Sequence, residues 1–431
     1  MERHQLHRPS RALLAGIALL VLSACDFTVT NPGPMQDEQL NDPAAHQGLV
    51  TGMSQSLSSA LWRAAFVTAE VSREYVQGGR IFTTKLPITP GQLTREDIAS
   101  QYWNEAVRAR WIAEDGVRRF SEILPDFESS PLAAQALTYV GFSNRLLGEN
   151  FCEAVIDGGA PEPGELYFHR AEAAFTRAIQ VAERAGAGDL VRTARAGRAT
   201  VRLHLGDWEG AVADAQGIPE SFAFFSPFHG AQLDQFNGVY YSNANEPFRT
   251  HSVVGTFYED YYQQTGDPRV AWGRDEAVPT AEFPVVPWYF QLKYRSRGDD
   301  IRLVSGRELH LIEAEARLRQ GDVGGAVAIL NGLRTSLVSD LDGASLEPWP
   351  SPAGAEEAWT YLKRERAAEL WLEGRRMADL RRWVEEGVLG EMEDVSDRIR
   401  LCLPIAQSEI DTNPNIQSDH PDPVSPAFTG R

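Results

Sequence analysis

Aromatic rings set among amides and charged groups are the chemistry this sequence holds in quantity. Tyr240 and Tyr241 stand close to Asn243 and Asn245, and Trp288 and Tyr289 follow in the same irregular stretch. Trp62, Tyr75 and Trp103 lie earlier, in a helical part, near Arg63, Arg73, Arg80 and Asn104. Such groups suit a ligand with apolar C–H faces and many hydroxyls. The faces stack on rings, and the hydroxyls need amide, carboxylate and guanidinium partners. Trp62, Tyr75, Tyr240, Tyr241, Asn243, Trp288 and Tyr289 are therefore the candidate ligand contacts. For Trp103, Trp111 and Trp208 the expectation is core packing.

Chemistry beyond binding is not marked. There is no Gly-x-Gly-x-x-Gly or Walker-type phosphate loop, no His-Glu-x-x-His zinc helix and no Gly-x-Ser-x-Gly nucleophile elbow. The nine histidines are scattered, and His204 and His310 read as packed or surface residues of helical segments. Three cysteines are too few for a Cys-rich zinc site or a disulfide scaffold. Carboxylates are numerous enough to pair by chance, and none is singled out. We therefore expect binding without catalysis, no metal and no cofactor. With 41 Lys+Arg against 60 Asp+Glu, the net charge of −19 opposes a nucleic-acid partner.

The elements that must position these rings begin after a targeting segment. Arg3, Arg8 and Arg11 precede an apolar run from Ala12 to Leu22, which is shorter than a membrane-spanning helix needs. The run ends Leu22-Ser23-Ala24-Cys25, which resembles a bacterial lipobox. This predicts a signal peptide over 1–24 and lipidation at Cys25. Cleavage removes three Arg and one Glu, leaving a charge of −21. Residues 25–45, with Asn31-Pro32-Gly33-Pro34, form an extended tether, and 46–431 a single domain. Cys152 and Cys402 remain. A compartment that permits disulfides leaves their pairing open, and two separate buried thiols are the expectation.

Helical spacing covers His46 to Trp62, Ala64 to Val76 and Arg95 to Leu124. Leu147-Gly148-Glu149, Leu205-Gly206-Asp207 and Gln320-Gly321-Asp322 each read as the tight turn of a helical hairpin. The last two share Gly-Asp-x-x-Gly-Ala-Val-Ala. That grammar is tetratricopeptide-like, but the repeats are unevenly spaced. Residues 217–305, rich in Phe, Tyr, Trp, Pro and Asn, interrupt them as a large insertion of loops and short strands. One long helix is expected from Glu356 to Glu386, with Arg366, Glu369, Glu373, Arg376 and Asp379 pairing along it. Gly374 inside such a helix implies close backbone packing.

Several of these features resemble the SusD/RagB family of outer-membrane nutrient-binding lipoproteins. They are Cys25 with Asn31-Pro32-Gly33; Arg366 to Trp383, ending Asp379-Leu380-Arg381-Arg382-Trp383; and Leu403-Pro404-Ile405 leading through Glu409 to Asn413-Pro414. Tyr294 and Asp299 to Leu303, running into Glu308 to Ala316, add to the likeness. The usual Gln-Asn-Pro-Gly-Tyr ending is replaced by Gln417-Ser418-Asp419-His420-Pro421, as in a divergent member. The resemblance implies a mainly α fold with a tetratricopeptide-like scaffold and loops carrying the ligand site. It also implies a lipid-anchored protein at the cell outer membrane. Such a protein captures an oligosaccharide or other nutrient for a SusC-like TonB-dependent outer-membrane transporter. A surface glycoside hydrolase and a tetratricopeptide-type scaffold lipoprotein are the alternatives.

Overall fold

Hairpins of helices, each packed on the next, form the frame. The computed structural model describes residues 37–78, 94–243, 249–275, 277–278, 280, 286–392, 395–396, 398 and 400–423. The predicted signal peptide, Cys25, Arg80 and Asn245 lie outside them. The chain divides at Ala45/His46, and the larger unit is the one described below. Its first helix, α1 (Pro43–Val71), is buried on every side from Ala64 to Val71. A short strand β1 (Val76–Gln77) follows. A helical turn (Arg95–Ile98) and a π-helical turn (Ala99–Trp103) lead into α2 (Asn104–Ile123). Then come α3 (Pro131–Asn150), strands β2 (Glu153–Ala154) and β3 (Glu162–Pro163), α4 (Glu165–Arg184), α5 (Gly188–Arg202) and α6 (Trp208–Ala215). Each helix from α2 to α5 packs on its successor.

The α5–α6 turn and the turn between α9 (Gly306–Arg319) and α10 (Val323–Thr335) are built alike. Gly206 and Gly321 take φ of 73° and 81°, a conformation cheap only for glycine. Asp207 and Asp322 then cap the next helix by accepting from Gly210 N at 2.9 Å and Gly325 N at 2.8 Å. A Cβ at Gly210 or Gly325 would lie 2.0 or 2.1 Å from the capping carboxylate, so both positions stay bare. Every residue the two motifs share in Gly-Asp-x-x-Gly thus has a task. The third expected turn is different. Gly148 sits inside α3, where a Cβ would come within 2.9 Å of the Phe168 ring. The glycine there serves helix–helix approach, not a turn.

Between α6 and α9 the insertion leaves the frame and returns, and these two helices pack on each other directly. Its base is closed by β4 (Ala223–Ser226) pairing antiparallel with β8 (Ile301–Ser305), with a register irregularity between Phe224 and Phe225. Within it lie α7 (Gly238–Asn243), β5 (His251–Ser252), α8 (Phe257–Thr265), β6 (Trp272–Arg274) and β7 (Tyr289–Gln291). β1 pairs with β5 and β6 with β7, and Val253 N donates to Tyr289 O. The insertion therefore holds short helices besides its strands and loops.

The expected helix from Glu356 to Glu386 is two: α11 (Ala355–Glu369) and α12 (Arg376–Glu385). Leu372 (φ 57°) and Gly374 (φ 72°) turn the chain between them. A Cβ at Gly374 would approach Ala65 Cα to 3.1 Å, so this glycine serves both the turn and the close packing. Arg366 and Glu369 pair off their own helix and Glu373 off the turn, while Arg382 meets Asp379 along α12 at 3.1 Å. Arg366 bonds to Asp379 across the turn at 2.8 Å, and Arg375 reaches Glu149 and Glu308, each at 2.7 Å. Glu365, Glu369 and Glu373 instead receive cations from the insertion and its flanks. Arg269 lies 2.8 Å from Glu365, Arg302 2.8 Å from Glu369 and Lys293 2.7 Å from Glu373.

Cys152 and Cys402 form a disulfide, not two thiols. The chain comes together there because Leu403 bridges Phe151 in parallel, with Cys152 N donating to Leu403 O at 2.9 Å. The last helix, α13 (Gln407–Thr412), and its neighbours continue the lacing. Asn413 and Asn415 donate to the carbonyls of Gly159 and Gly158 at 3.0 and 2.7 Å.

Candidate functional site

Three short aromatic groups cover the insertion. In the first, the Arg297 guanidinium lies 4.8 Å from the Phe236 ring centre and 5.1 Å from that of Tyr241. In the second, Tyr289 stacks on Trp272 at 4.9 Å, and Tyr262 tilts against Trp272 at 6.2 Å. In the third, Trp288 meets Phe290 at 4.6 Å beneath Arg249. Helix α7, which carries Tyr240 and Tyr241 and ends at Asn243, packs on β5 and β7 and so draws these groups to one part of the molecule. Its start rests on Trp62, since a Cβ at Gly238 would fall 2.0 Å from the indole.

The predicted contacts separate by burial. Trp62, Tyr240, Tyr241 and Tyr289 are half-buried, with ring surface still presented to solvent. Trp62 carries the Arg63 guanidinium 4.4 Å above its ring, and Arg63 is held by Ser59 at 2.7 Å. Partial burial lowers the Arg63 pKa, with Glu105 opposing, so the charge is one that gains from a further acceptor. Tyr75 is a different case. It is fully buried, its hydroxyl donates to Phe66 O at 2.7 Å, and its ring packs 4.5 Å from His251. It offers no face to a ligand, because it closes the core where α1 meets β1. Trp288 is 9% exposed and behaves chiefly as packing.

Of the three tryptophans expected to pack, one departs from expectation. Trp103 is in the core, donating to Glu409 at 3.2 Å. Trp208 is half-buried under Arg319, 4.2 Å from its ring centre. Trp111, however, is 55% exposed. The packed face of α2 is the small-residue stripe Ala106, Ala109, Ala113 and Gly116. At about 100° per residue, position 111 falls roughly 160° from 113, on the opposite side. The stripe was the available signal, and large side chains at four-residue spacing obscured it.

What fixes the insertion is electrostatic. Glu369 accepts from Arg302 at 2.8 Å, Arg307 at 3.0 Å and Arg269 at 3.2 Å. Burial alone would raise its pKa, but these three guanidiniums hold it well below the usual carboxylate range. Tyr294 donates to Leu372 O at 3.2 Å, and Lys293 to Trp371 O at 2.5 Å. Among the described residues no group of three His, Cys, Asp or Glu side chains is placed to hold a metal.

Residues 235–397, from the insertion to just past α12, match the model of the SusD family. Over that segment the chain is similar to the SusD/RagB family. No curated protein matches its sequence. Solved structures share its fold. A SusD superfamily protein from Bacteroides vulgatus is 16% identical with a TM-score of 0.64, covering 88% of this chain and 99% of that one. A laminarin-binding SusD-like protein is 14% identical with a TM-score of 0.66, over 87% and 98%. Surface glycan-binding protein A from Bacteroides thetaiotaomicron is 14% identical with a TM-score of 0.65, over 88% and 99%. In this SusD-like fold, the Arg366–Trp383 stretch is the strip to which the insertion is clamped, an architectural role.

Proposed function

We propose that this protein is a surface lipoprotein that captures a glycan and delivers it, uncut, to a SusC-like TonB-dependent transporter of the outer membrane. The observation that carries the reading is the group of half-exposed rings with adjacent guanidiniums on the clamped insertion and on α1 beneath it. Rings take the C–H faces of pyranoses, and Arg63 and Arg297 supply donors to their oxygens. Tyr241, Tyr240, Trp62 and Tyr289 are the contacts we assign, and Asn243 ends the same helix. The laminarin-binding and glycan-binding character of two neighbours of this fold supports the ligand class. Cys25 would bear the lipid, and the 1–24 segment would direct export.

Affinity electrophoresis in gels containing soluble polysaccharides tests the ligand. Retardation of the wild type that Tyr241→Ala and Tyr289→Ala each weaken is expected, and unchanged retardation in both would remove the site. Co-purification with an outer-membrane barrel tests delivery. Loss of radiolabelled palmitate in Cys25→Ala tests the anchor.

A further inference from the structure

Of the ten tryptophans in the chain, Trp111 alone is exposed. It stands on a groove of about 380 Å³ whose polar lining is Asn104, Arg108, Arg110, Asp157 and Glu409. None of these belongs to the insertion. We propose that this groove is a second carbohydrate subsite, in which one neutral pyranose ring lies on the Trp111 indole while its hydroxyls bond to Asn104, Arg108 and Asp157. The ligand class rests on the capture reading above; the site does not.

The groove is built, not incidental. The Arg110 side chain is 3% exposed and pinned between Glu114 at 2.6 Å and Asp157 at 2.8 Å. Its Nε has no hydrogen-bond partner among the described residues. Asp157 is held at φ 49°, a conformation that non-glycine residues adopt at a cost, and its side chain stays 61% exposed although Oδ1 accepts from Arg110. Glu409 is fixed by Trp103 at 3.2 Å and Asn413 at 2.9 Å. The opposite wall is pinned by the Asn413 and Asn415 bonds to the carbonyls of Gly159 and Gly158. Two guanidiniums face two carboxylates around one indole, so the lining carries no net charge. Donors and acceptors of both kinds beside an aromatic face match a neutral polyol better than an ionic ligand or an apolar peptide.

The test uses the full mature chain and a panel of neutral polysaccharides, laminarin, dextran and xylan. Hydroxyl-radical labelling read by mass spectrometry should show Trp111 oxidation falling when a bound polysaccharide is present. Trp111→Ala should weaken retardation by roughly 2- to 10-fold, the worth of one aromatic contact. Its melting temperature should hold, since the ring is outside the core. Tyr241→Ala should keep the protection of Trp111. Asp157→Asn, which keeps an acceptor for Arg110, should weaken binding less than Trp111→Ala. If the wild type is retarded but Trp111→Ala equals it and Trp111 is not protected, this groove is refuted while the insertion site stands. If no polysaccharide retards the wild type, both fall.

Discussion

Two rings 47 positions apart on the insertion should answer the same substitution oppositely. Trp288 is packed, so Trp288→Ala should cost about 3–5 kcal/mol and lower the melting temperature, whatever it does to binding. Tyr241 is half-exposed, so Tyr241→Ala should weaken glycan retardation with little change in melting. Calorimetry beside affinity electrophoresis separates the two. At Glu74 the readout is pH. Burial raises its pKa from about 4.5 to about 7, against the Leu372 N–H and Ser72 that bond its carboxylate. The folded pKa lies above the unfolded one, so folding favours the neutral acid. Its contribution is full below about 4.5 and is lost as the pH rises through about 7. Glu74→Gln should therefore flatten the decline in stability between those values, by about 3 kcal/mol. An unchanged slope of melting temperature against pH would contradict this.

Among the elements, the two capped turns give a matched pair. Asp207→Ala and Asp322→Ala should each cost about 1 kcal/mol, because each removes one N-cap of the same geometry. These turns were readable because glycine, capping aspartate and bare glycine are consecutive in sequence and act locally. The break between α11 and α12 was not. Leu372 has ordinary helix propensity, and what holds it at φ 57° is the Glu74 carboxylate, 298 positions away. The same distinction governs the clamp. Sequence shows that Glu369 is charged and lies on a helix, but not that Arg269, Arg302 and Arg307 converge on it. Glu369→Ala would leave those three guanidiniums in a poorly solvated place and should cost about 3–5 kcal/mol in thermal unfolding. The candidate rings were legible by type and neighbourhood. Their burial was not, since Tyr75 and Tyr241 are alike until the chain folds.

At the scale of the molecule, acid is the main threat. Burial would raise the Glu149 pKa, but Arg375 and Arg145 hold it at about 2, and Glu315 and Asp379 are likewise held low by guanidiniums. Their folded pKa values lie below the unfolded ones, so this stability is full above about 4.5 and is lost toward about 2. His204 adds to it. Burial lowers its pKa from 6.5 to about 4, so the neutral ring is favoured by folding and its share is lost as the pH falls through that interval. Glu74 gains over nearly the same interval and offsets His204, so melting temperature should drop steadily below about pH 4.5. Reduction should act separately. Replacing Cys152 and Cys402 with serine should cost about 2–5 kcal/mol, measured by denaturant unfolding. Neither cysteine announced its partner, because the parallel bridge that joins them is a tertiary fact.

The Cys152–Cys402 bond joins positions 250 apart, so most of the helical frame and the whole insertion lie inside one covalent ring. A protease that cuts that ring once opens it without releasing a fragment. Nicked molecules would run as full-length chains on an unreduced gel and split in two only after thiol treatment. Copies nicked by a peptidase would thereby stay whole, the carboxyl half still joined through sulfur to the amino half.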